Sequence, residues 1–177
     1  MKGEAATGKA AVCLPAAFAG FYDQAAPDVF RYLARALLGD RAAAEDLTQA
    51  TFAAVVIAAR SGRPEALTMP WVMGVARHKL VDHYRRVSRD ERRLALAWSH
   101  SSDSVEPEFL DSADPAQLLE MMRTLSTEHR LVLILKYVDE LSAVEIAKTV
   151  NRSLHATNSL LSRARRALAT SLAESHS

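Results

Sequence analysis

The sequence has little of what enzymes and secreted proteins commonly depend on. Its 177 residues include one cysteine, Cys13, so no internal disulfide and no cysteine-based zinc site can form. It contains no glycine-rich phosphate loop and no motif for an activated nucleophile. These absences argue against metal, redox and group-transfer chemistry, and they suit a reducing cytoplasm. We therefore expect no catalytic residue, no metal and no cofactor.

An excess of charge is also missing. The 22 Lys and Arg residues almost balance the 21 Asp and Glu residues, which leaves a formal charge of +1. A balance of this kind cannot attract nucleic acid or a membrane surface by itself, so any such signal must be local. The apolar run from Ala10 to Phe21 resembles a secretory signal, but Pro15 interrupts it and it is too short to span a bilayer. We predict a cytoplasmic protein with no membrane insertion.

What the sequence does have is abundant Ala, Leu and Arg with few β-branched runs, a composition that favours an all-α fold. Residues 94–115 interrupt it with Ser, Pro and carboxylates but no Lys or Arg. This stretch is typical of a flexible acidic linker. We predict a flexible tail over residues 1–14, a first helical domain over 15–93, the linker over 94–115 and a second domain over 116–177.

The first block contains three stretches with helical periodicity. One ends at Gly39 and Asp40, a second runs to about Ala58, and Pro70 begins a third that runs to about Arg86. The third helix has one apolar side, and Gly74 would let another backbone come close to it. The apolar positions in these three helices are Val29, Tyr32, Leu33, Ala36 and Leu37, then Leu47, Thr51, Ala54, Val55 and Ala58, then Val72, Met73, Ala76, Leu80 and Tyr84.

The second block carries a helix-turn-helix pattern. Ser142 and Glu145 form a capping box that begins a short helix, which ends near Val150 because Asn151 can adopt the left-handed conformation. Ser153 can cap the longer helix that follows. In this motif the second helix enters the major groove of DNA. The predicted buried stripe of that helix is Leu154, Thr157, Leu161, Ala164, Leu168 and Leu172.

These residues resemble a known family. The segments 40–52 and 70–86 look like the first domain of extracytoplasmic-function (ECF) sigma factors of bacterial RNA polymerase. The segments 125–130, 141–147 and 162–168 look like their second domain. The resemblance extends from about Phe18 to Leu172, and both blocks occur in the family's order with an acidic linker between them.

The resemblance implies three partners: core RNA polymerase through its β′ and β subunits, promoter DNA, and an anti-sigma factor. It implies that Glu45, Asp46 and Gln49 bind polymerase. For the minus-ten element, the implied residues of the first domain are Arg60, Arg63, Trp71, Arg77, His78, Asp82, Arg85 and Arg86. For the minus-thirty-five element, the implied residues of the second domain are Ser153, His155, Asn158, Ser159, Ser162, Arg163, Arg165 and Arg166. The loop from Arg60 to Met69 would capture a flipped base.

The residues themselves allow alternatives. Glu45, Asp46 and Gln49 share one polar helix face, which could also be merely solvated, and Trp71 fits core packing as well as DNA contact. A helix-turn-helix regulator that binds DNA without joining polymerase would have no need of that polar face. His78, Asp82 and His83 could hold a metal, although no second cluster of ligands accompanies them.

The recognition helix and the turn before it depart from the family at five positions: Asn151, Arg152, Thr157, Asn158 and Leu160. Asn158 and Leu160 stand where the resemblance places Lys and Arg. If both positions face outward, this helix makes fewer phosphate contacts than is usual in the family. We therefore expect a weaker or differently specified minus-thirty-five contact.

Overall fold

A computed structural model describes residues 14–94 and 115–175. Within those ranges there are seven α-helices, one 3₁₀ turn and no strand, so the predicted all-α class is confirmed. Residues 1–13 of the predicted tail and 95–114 of the predicted linker lie outside the described residues, and the boundary residues Leu14, Leu94 and Pro115 are helical. The elements are α1 (Leu14–Ala36), α2 (Arg41–Arg60), the 3₁₀ turn (Pro64–Leu67), α3 (Met69–Leu94), α4 (Pro115–Thr124), α5 (Thr127–Tyr137), α6 (Ala143–Val150) and α7 (Leu154–Ser175).

The turn between α1 and α2 forms where the sequence predicted a break. Leu38 and Gly39 both have positive φ, at 55° and 83°, which ends the α1 helix. Asp40 then caps α2, because its carboxylate accepts a hydrogen bond from the Ala43 amide at 3.0 Å. Leu38 is buried, so its side chain anchors a left-handed conformation that leucine otherwise avoids.

The three N-terminal helices surround one apolar core. Val29 and Leu33 of α1, Val55 of α2, and Val72 and Leu80 of α3 are all fully buried. Length and composition alone would allow α2 to cross a membrane. However, a core helix passes the same test, and α2 packs against both α1 and α3.

Tyr84 joins α3 to the end of α1. Its hydroxyl donates a hydrogen bond to the Ala36 carbonyl at 2.7 Å in a buried position. Burial raises the pKa of Tyr84 to about 12, so the hydroxyl stays protonated and remains a donor near neutral pH.

Two features of the helices differ from the sequence prediction. α3 continues to Leu94 instead of ending near Arg86, because no helix breaker follows Arg86 and Ser88 contacts the second helical group. α4 was not predicted. Its end is stabilised by Arg130 of α5, whose guanidinium donates hydrogen bonds to the carbonyls of Met122, Arg123 and Leu125 at 3.0–3.1 Å.

The helix-turn-helix forms as predicted. The capping box of Ser142 and Glu145 is present, and Asn151 ends α6 with φ at 52°. The Ser153 hydroxyl accepts a hydrogen bond from the Ala156 amide at 3.1 Å. Leu154 is an exception to the predicted stripe: it is 45% exposed because the first turn of α7 extends beyond the core.

The second helical group, α4–α7, lies against the first. α3 contacts both α5 and α6, and one continuous apolar cluster includes residues of both groups. As a result, one side of α3 faces the first group's core and another faces the second group. This arrangement determines which polar residues of α3 reach solvent.

Truncation of Leu80 to alanine tests the core. Leu80 is fully buried, so we expect Leu80→Ala to lower the free energy of unfolding by about 2–5 kcal/mol. Ile57 of α2 is 67% exposed and serves as the matched control, with an expected change within about 0.5 kcal/mol. Urea denaturation followed by circular dichroism measures both. Equal losses for the two variants would contradict this placement of the core.

Candidate binding surfaces

The outward face of α2 begins with polar residues. Glu45, Asp46 and Gln49 are exposed, on the side opposite the buried Thr51 and Val55. Glu45 accepts a hydrogen bond from Arg41 at 2.8 Å, but both side chains are at least half exposed, so this ion pair adds little stability. The three side chains together form an accessible acidic and amide surface.

The same face of α2 ends with an apolar residue that sequence analysis did not single out. Ile57 is 67% exposed, and it follows Asp46, Gln49 and Ala53 at helical spacing. An isoleucine this exposed on a helix face is available for burial by a partner. Ile57 could have been found from the sequence, because it is a large apolar residue at a position where the helical spacing continues the polar face of α2.

The loop between α2 and α3 is fixed at its base and exposed at its tip. Ala66, in the 3₁₀ turn, is fully buried, and the Thr68 hydroxyl donates to the Glu65 carbonyl at 2.7 Å. Arg60 and Arg63 are both exposed. The loop therefore holds two accessible cations close to the start of α3.

Trp71 and Gly74 lie in the first two turns of α3. Trp71 is half-buried and packs against the apolar cluster, so part of its ring is core and part reaches the surface. No described part of the chain approaches Gly74, since a Cβ placed there would meet no atom within 4 Å, so the space beside it is open.

The structure divides the predicted polar strip of α3 between two sides. His78, Asp82 and Arg86 are exposed, and an Arg86 guanidinium nitrogen lies 3.3 Å from His83 Nδ1. Burial and the nearby Arg86 charge lower the pKa of His83. Arg77 and Arg85 instead lie on the side that faces the second helical group.

Asp139, two residues after α5, is the most buried carboxylate among the ion pairs described. Its side chain is 4% exposed, and its Oδ2 accepts hydrogen bonds from Arg77 Nε at 3.0 Å and the Tyr32 hydroxyl at 3.1 Å. Burial first, and then the Asp139 charge, raise the pKa of Tyr32. Burial alone would lower the pKa of Arg77, but the hydrogen bond and charge of Asp139 keep it above its ordinary value. Sequence analysis missed Asp139 because its partners are 62 and 107 residues away.

Further polar contacts join the two groups along α3. Arg85 donates to the Thr149 carbonyl at 3.2 Å, and the Ser88 hydroxyl donates to Glu128 at 3.3 Å. Glu128 also pairs with Arg152 at 2.9 Å.

Two more contacts across the groups lie outside that row. The Thr127 hydroxyl donates to Glu91 near the end of α3. Arg123 of α4 donates to the Leu38 carbonyl at 3.1 Å, in the turn between α1 and α2. A cavity of about 430 Å³ remains between α3 and the second group. The interface is therefore partly polar and incompletely filled.

Most residues of the predicted recognition surface are exposed on the outward face of α7. His155, Asn158, Ser159 and Arg163 are exposed, whereas Ser162 and Arg166 are half-buried. Arg165 lies to one side, where its Nε donates to the Tyr137 hydroxyl at 3.1 Å. Ser153 is exposed, but its hydroxyl is engaged in the helix cap.

Leu160 is not on that face, and the expectation that it faces outward is wrong. It is 4% exposed and lines the cavity with Val132 and Val150. Leu160 is three residues from Thr157 and four from Ala164, both fully buried, and this spacing places all three on one side of α7.

The polar and ionisable groups of the described part show no metal centre. Within residues 14–94 and 115–175, no group of three or more His, Cys, Asp or Glu side chains could hold a metal ion. His78 and Asp82 are both exposed on α3, while His83 contacts Arg86.

Comparisons with known proteins match both helical groups. Residues 21–90 match the family described as Sigma-70 region 2, and residues 116–168 match the family described as Sigma-70, region 4. The ECF RNA polymerase sigma factor BldN of Streptomyces coelicolor is 30% identical over 158 residues, which cover 86% of this chain and 59% of BldN. The RNA polymerase sigma factor CarQ of Myxococcus xanthus is 31% identical over 135 residues, which cover 73% of this chain and 74% of CarQ.

A solved structure has the same fold. It is the sigma factor RpoE of Bartonella quintana, crystallised in complex with the anti-sigma factor NepR. The match has a TM-score of 0.53 and 21% identity, and it covers 88% of this chain and 96% of that chain.

Charge substitutions on α7 test which side of the helix is buried. Leu160→Arg places a cation in a buried apolar position of the cavity that Arg85, Arg152 and Glu128 also line, so we expect a loss of about 3 kcal/mol in the free energy of unfolding. Asn158→Lys adds the same charge two residues away on the exposed side and should change stability by less than about 0.5 kcal/mol. Thermal melts compare the two variants. A fully stable Leu160→Arg would mean that this side of α7 is open to solvent.

Proposed function

The chain belongs to the sigma-70 family as an ECF sigma factor, and we propose on that premise that it binds core RNA polymerase and directs promoter-specific initiation of transcription. The observation that carries the proposal is the exposed surface of Glu45, Asp46 and Gln49 in a chain that also has a helix-turn-helix. The role is one of binding and positioning. The chemistry of RNA synthesis belongs to polymerase, beside which the protein works in the cytoplasm.

Polymerase docks on the outward face of α2. Glu45 and Asp46 supply negative charge, Gln49 supplies an amide, and Ile57 supplies an apolar contact at the other end of the face. Charged groups steer the encounter and fix its register, while an exposed apolar side chain gains free energy when it is buried. In the proposed complex this face lies against the β′ subunit, and other parts of the chain contact the β subunit.

The first helical group holds the minus-ten element. Arg60 and Arg63 flank the tip of the loop before α3, and Trp71 presents part of its ring nearby. Cations neutralise the phosphates of separated strands, and an aromatic ring can stack on an unpaired base. The remaining members of this proposed surface are Arg77, His78, Asp82, Arg85 and Arg86.

The second helical group reads the minus-thirty-five element through α7. His155, Asn158 and Ser159 present polar groups near its N-terminus, where recognition helices meet base edges. Asparagine can pair with adenine through two hydrogen bonds. The proposed face also includes Ser153, Ser162, Arg163, Arg165 and Arg166, of which Arg163 is the exposed cation.

An anti-sigma factor is a proposed further partner. The support is the fold shared with RpoE of Bartonella quintana, which was crystallised with the anti-sigma factor NepR. Run-off transcription of genomic DNA by core polymerase, with and without this protein, tests the whole proposal. New start sites in its presence are the expected result.

Charge reversal on α2 tests polymerase binding. We expect Glu45→Lys with Asp46→Arg to abolish assembly with core polymerase, because both carboxylates lie on the proposed docking face. Both side chains are exposed, so the free energy of unfolding should change by less than about 0.5 kcal/mol. Co-purification with core polymerase measures assembly.

The matched control reverses two exposed carboxylates elsewhere, Asp23→Arg with Asp28→Lys on α1. The control should bind core polymerase normally. Normal co-purification of the α2 variant would support the alternative regulator, which binds DNA without joining polymerase.

Removal of two arginines tests the α3 surface. We expect Arg85→Ala with Arg86→Ala to weaken promoter opening more than polymerase binding, since lost phosphate contacts lower both DNA affinity and its salt dependence. Permanganate footprinting of the cognate promoter across a salt series measures opening. Arg31→Ala, on an exposed part of α1, is the control. Normal opening by the double variant at every salt concentration would show that Arg85 and Arg86 are not DNA ligands.

A further inference from the structure

The second helical group partly covers the side of α3 that holds Arg77 and Arg85, whose side chains remain 30% and 41% exposed. We propose that this group competes with promoter DNA for α3, and that Asp139 occupies the position of a DNA phosphate against Arg77. The proposal rests on the proposed function, because it requires these two arginines to be DNA ligands. In this proposal, the arrangement in which the second group lies against α3 is an autoinhibited state of the free protein.

Asp139 satisfies the requirements of a phosphate substitute. Its Oδ2 accepts the Arg77 Nε–H at 3.0 Å, and the side chain is 4% exposed. Carboxylates and phosphates bind guanidinium groups with the same kind of charge-assisted hydrogen bond. While Arg77 is held in this way, it cannot use the same N–H on DNA.

The competition extends along several turns of α3. Arg85 is engaged by the Thr149 carbonyl at 3.2 Å, and Ser88 by Glu128 at 3.3 Å. Both contacts come from the second group and lie on the same side of α3 as Arg77. DNA that followed this side of the helix would therefore have to displace α5 and α6.

The composition of the interface between the two helical groups is that of domains that can separate. Beside the apolar contacts that the two groups share, it includes ion pairs, hydrogen bonds and a cavity of about 430 Å³, whereas the core around Leu33 and Leu80 is fully buried and apolar. Interfaces of this polar kind permit relative motion of domains. Each group also keeps bonds of its own, such as Tyr84 to Ala36 in the first and Arg130 to Met122 in the second.

The experiment weakens the Asp139 contact in the full-length chain. Asp139→Asn removes the charge, and Tyr32→Phe removes one of its two hydrogen-bond donors while every proposed DNA ligand keeps its own side chain. Small-angle X-ray scattering reports whether the chain opens. Fluorescence anisotropy with a labelled single-stranded oligonucleotide of mixed sequence reports DNA affinity.

We expect Asp139→Asn to increase the radius of gyration and to tighten oligonucleotide binding by about tenfold, because the binding-competent open fraction rises. Tyr32→Phe should shift both quantities in the same direction by a smaller amount. Glu140→Gln is the control for charge, since it removes one negative charge from an exposed neighbouring residue. Tyr22→Phe is the control for loss of a hydroxyl, from an exposed tyrosine on the same helix as Tyr32. Both controls should behave as the unmodified protein does.

A further substitution separates failure of this proposal from failure of the proposed function. In the Asp139→Asn background, Arg77→Ala should lower oligonucleotide affinity, because Arg77 is then free to bind phosphate. If the chain opens but its oligonucleotide affinity is unchanged by Arg77→Ala, Arg77 is not a DNA ligand. Unchanged radius and affinity in both Asp139→Asn and Tyr32→Phe, with helix content retained, would overturn the autoinhibited state. If Asp139→Asn loses helix content, Tyr32→Phe decides the outcome.

Discussion

The arrangement of the two helical groups depends on one buried carboxylate. Asp139 belongs to the second group, yet the donors that satisfy it, Arg77 and Tyr32, come from α3 and α1 of the first. A carboxylate that is 4% exposed is costly unless it is paired and hydrogen-bonded. The requirement to satisfy Asp139 therefore specifies where the end of α5 lies on the first group, which apolar contact alone would define less sharply.

The contact between the two groups also divides the polar residues of α3 between a side that faces solvent and a side that faces the second group. On α3, His78 and Arg86 reach solvent, while Arg77 and Arg85 meet the second group. Basic residues that form one strip in the sequence are thus distributed between an open surface and an interface. The same guanidinium chemistry serves both, because an arginine that can hold a phosphate can equally hold a carboxylate or a carbonyl.

Features that depend on neighbouring residues could be predicted from the sequence. The capping box of Ser142 and Glu145, the left-handed Asn151 and most core positions of the first three helices follow from spacing and local chemistry, and the structure has them; Ala54 and Ala58 are only partly buried. The resemblance to sigma factors likewise came from short segments in a fixed order. The exposed face that includes Glu45 and Asp46 could be placed because it lies opposite an apolar stripe on the same helix.

Features that depend on distant parts of the chain could not be predicted in this way. Nothing near residue 139 indicates that its carboxylate meets Arg77, and nothing within α3 shows which of its polar sides another helix covers. α4 was missed for a related reason, since its end is stabilised by Arg130 from the next helix. Leu160 is different: its spacing from Thr157 and Ala164 indicated burial, and reliance on the family pattern placed it on the wrong side.

The left-handed turn at Leu38 links two surfaces that look independent. Its carbonyl accepts a hydrogen bond from Arg123 of the second group, and Asp40, two residues later, caps the helix that presents Glu45 and Asp46. The start of α2 thus shares a support with the contact between the groups. A partner whose affinity for α2 depends on the shape of this turn is thermodynamically coupled to separation of the groups. That coupling is reciprocal, so separation changes the partner's affinity by the same factor that the partner changes the equilibrium of separation.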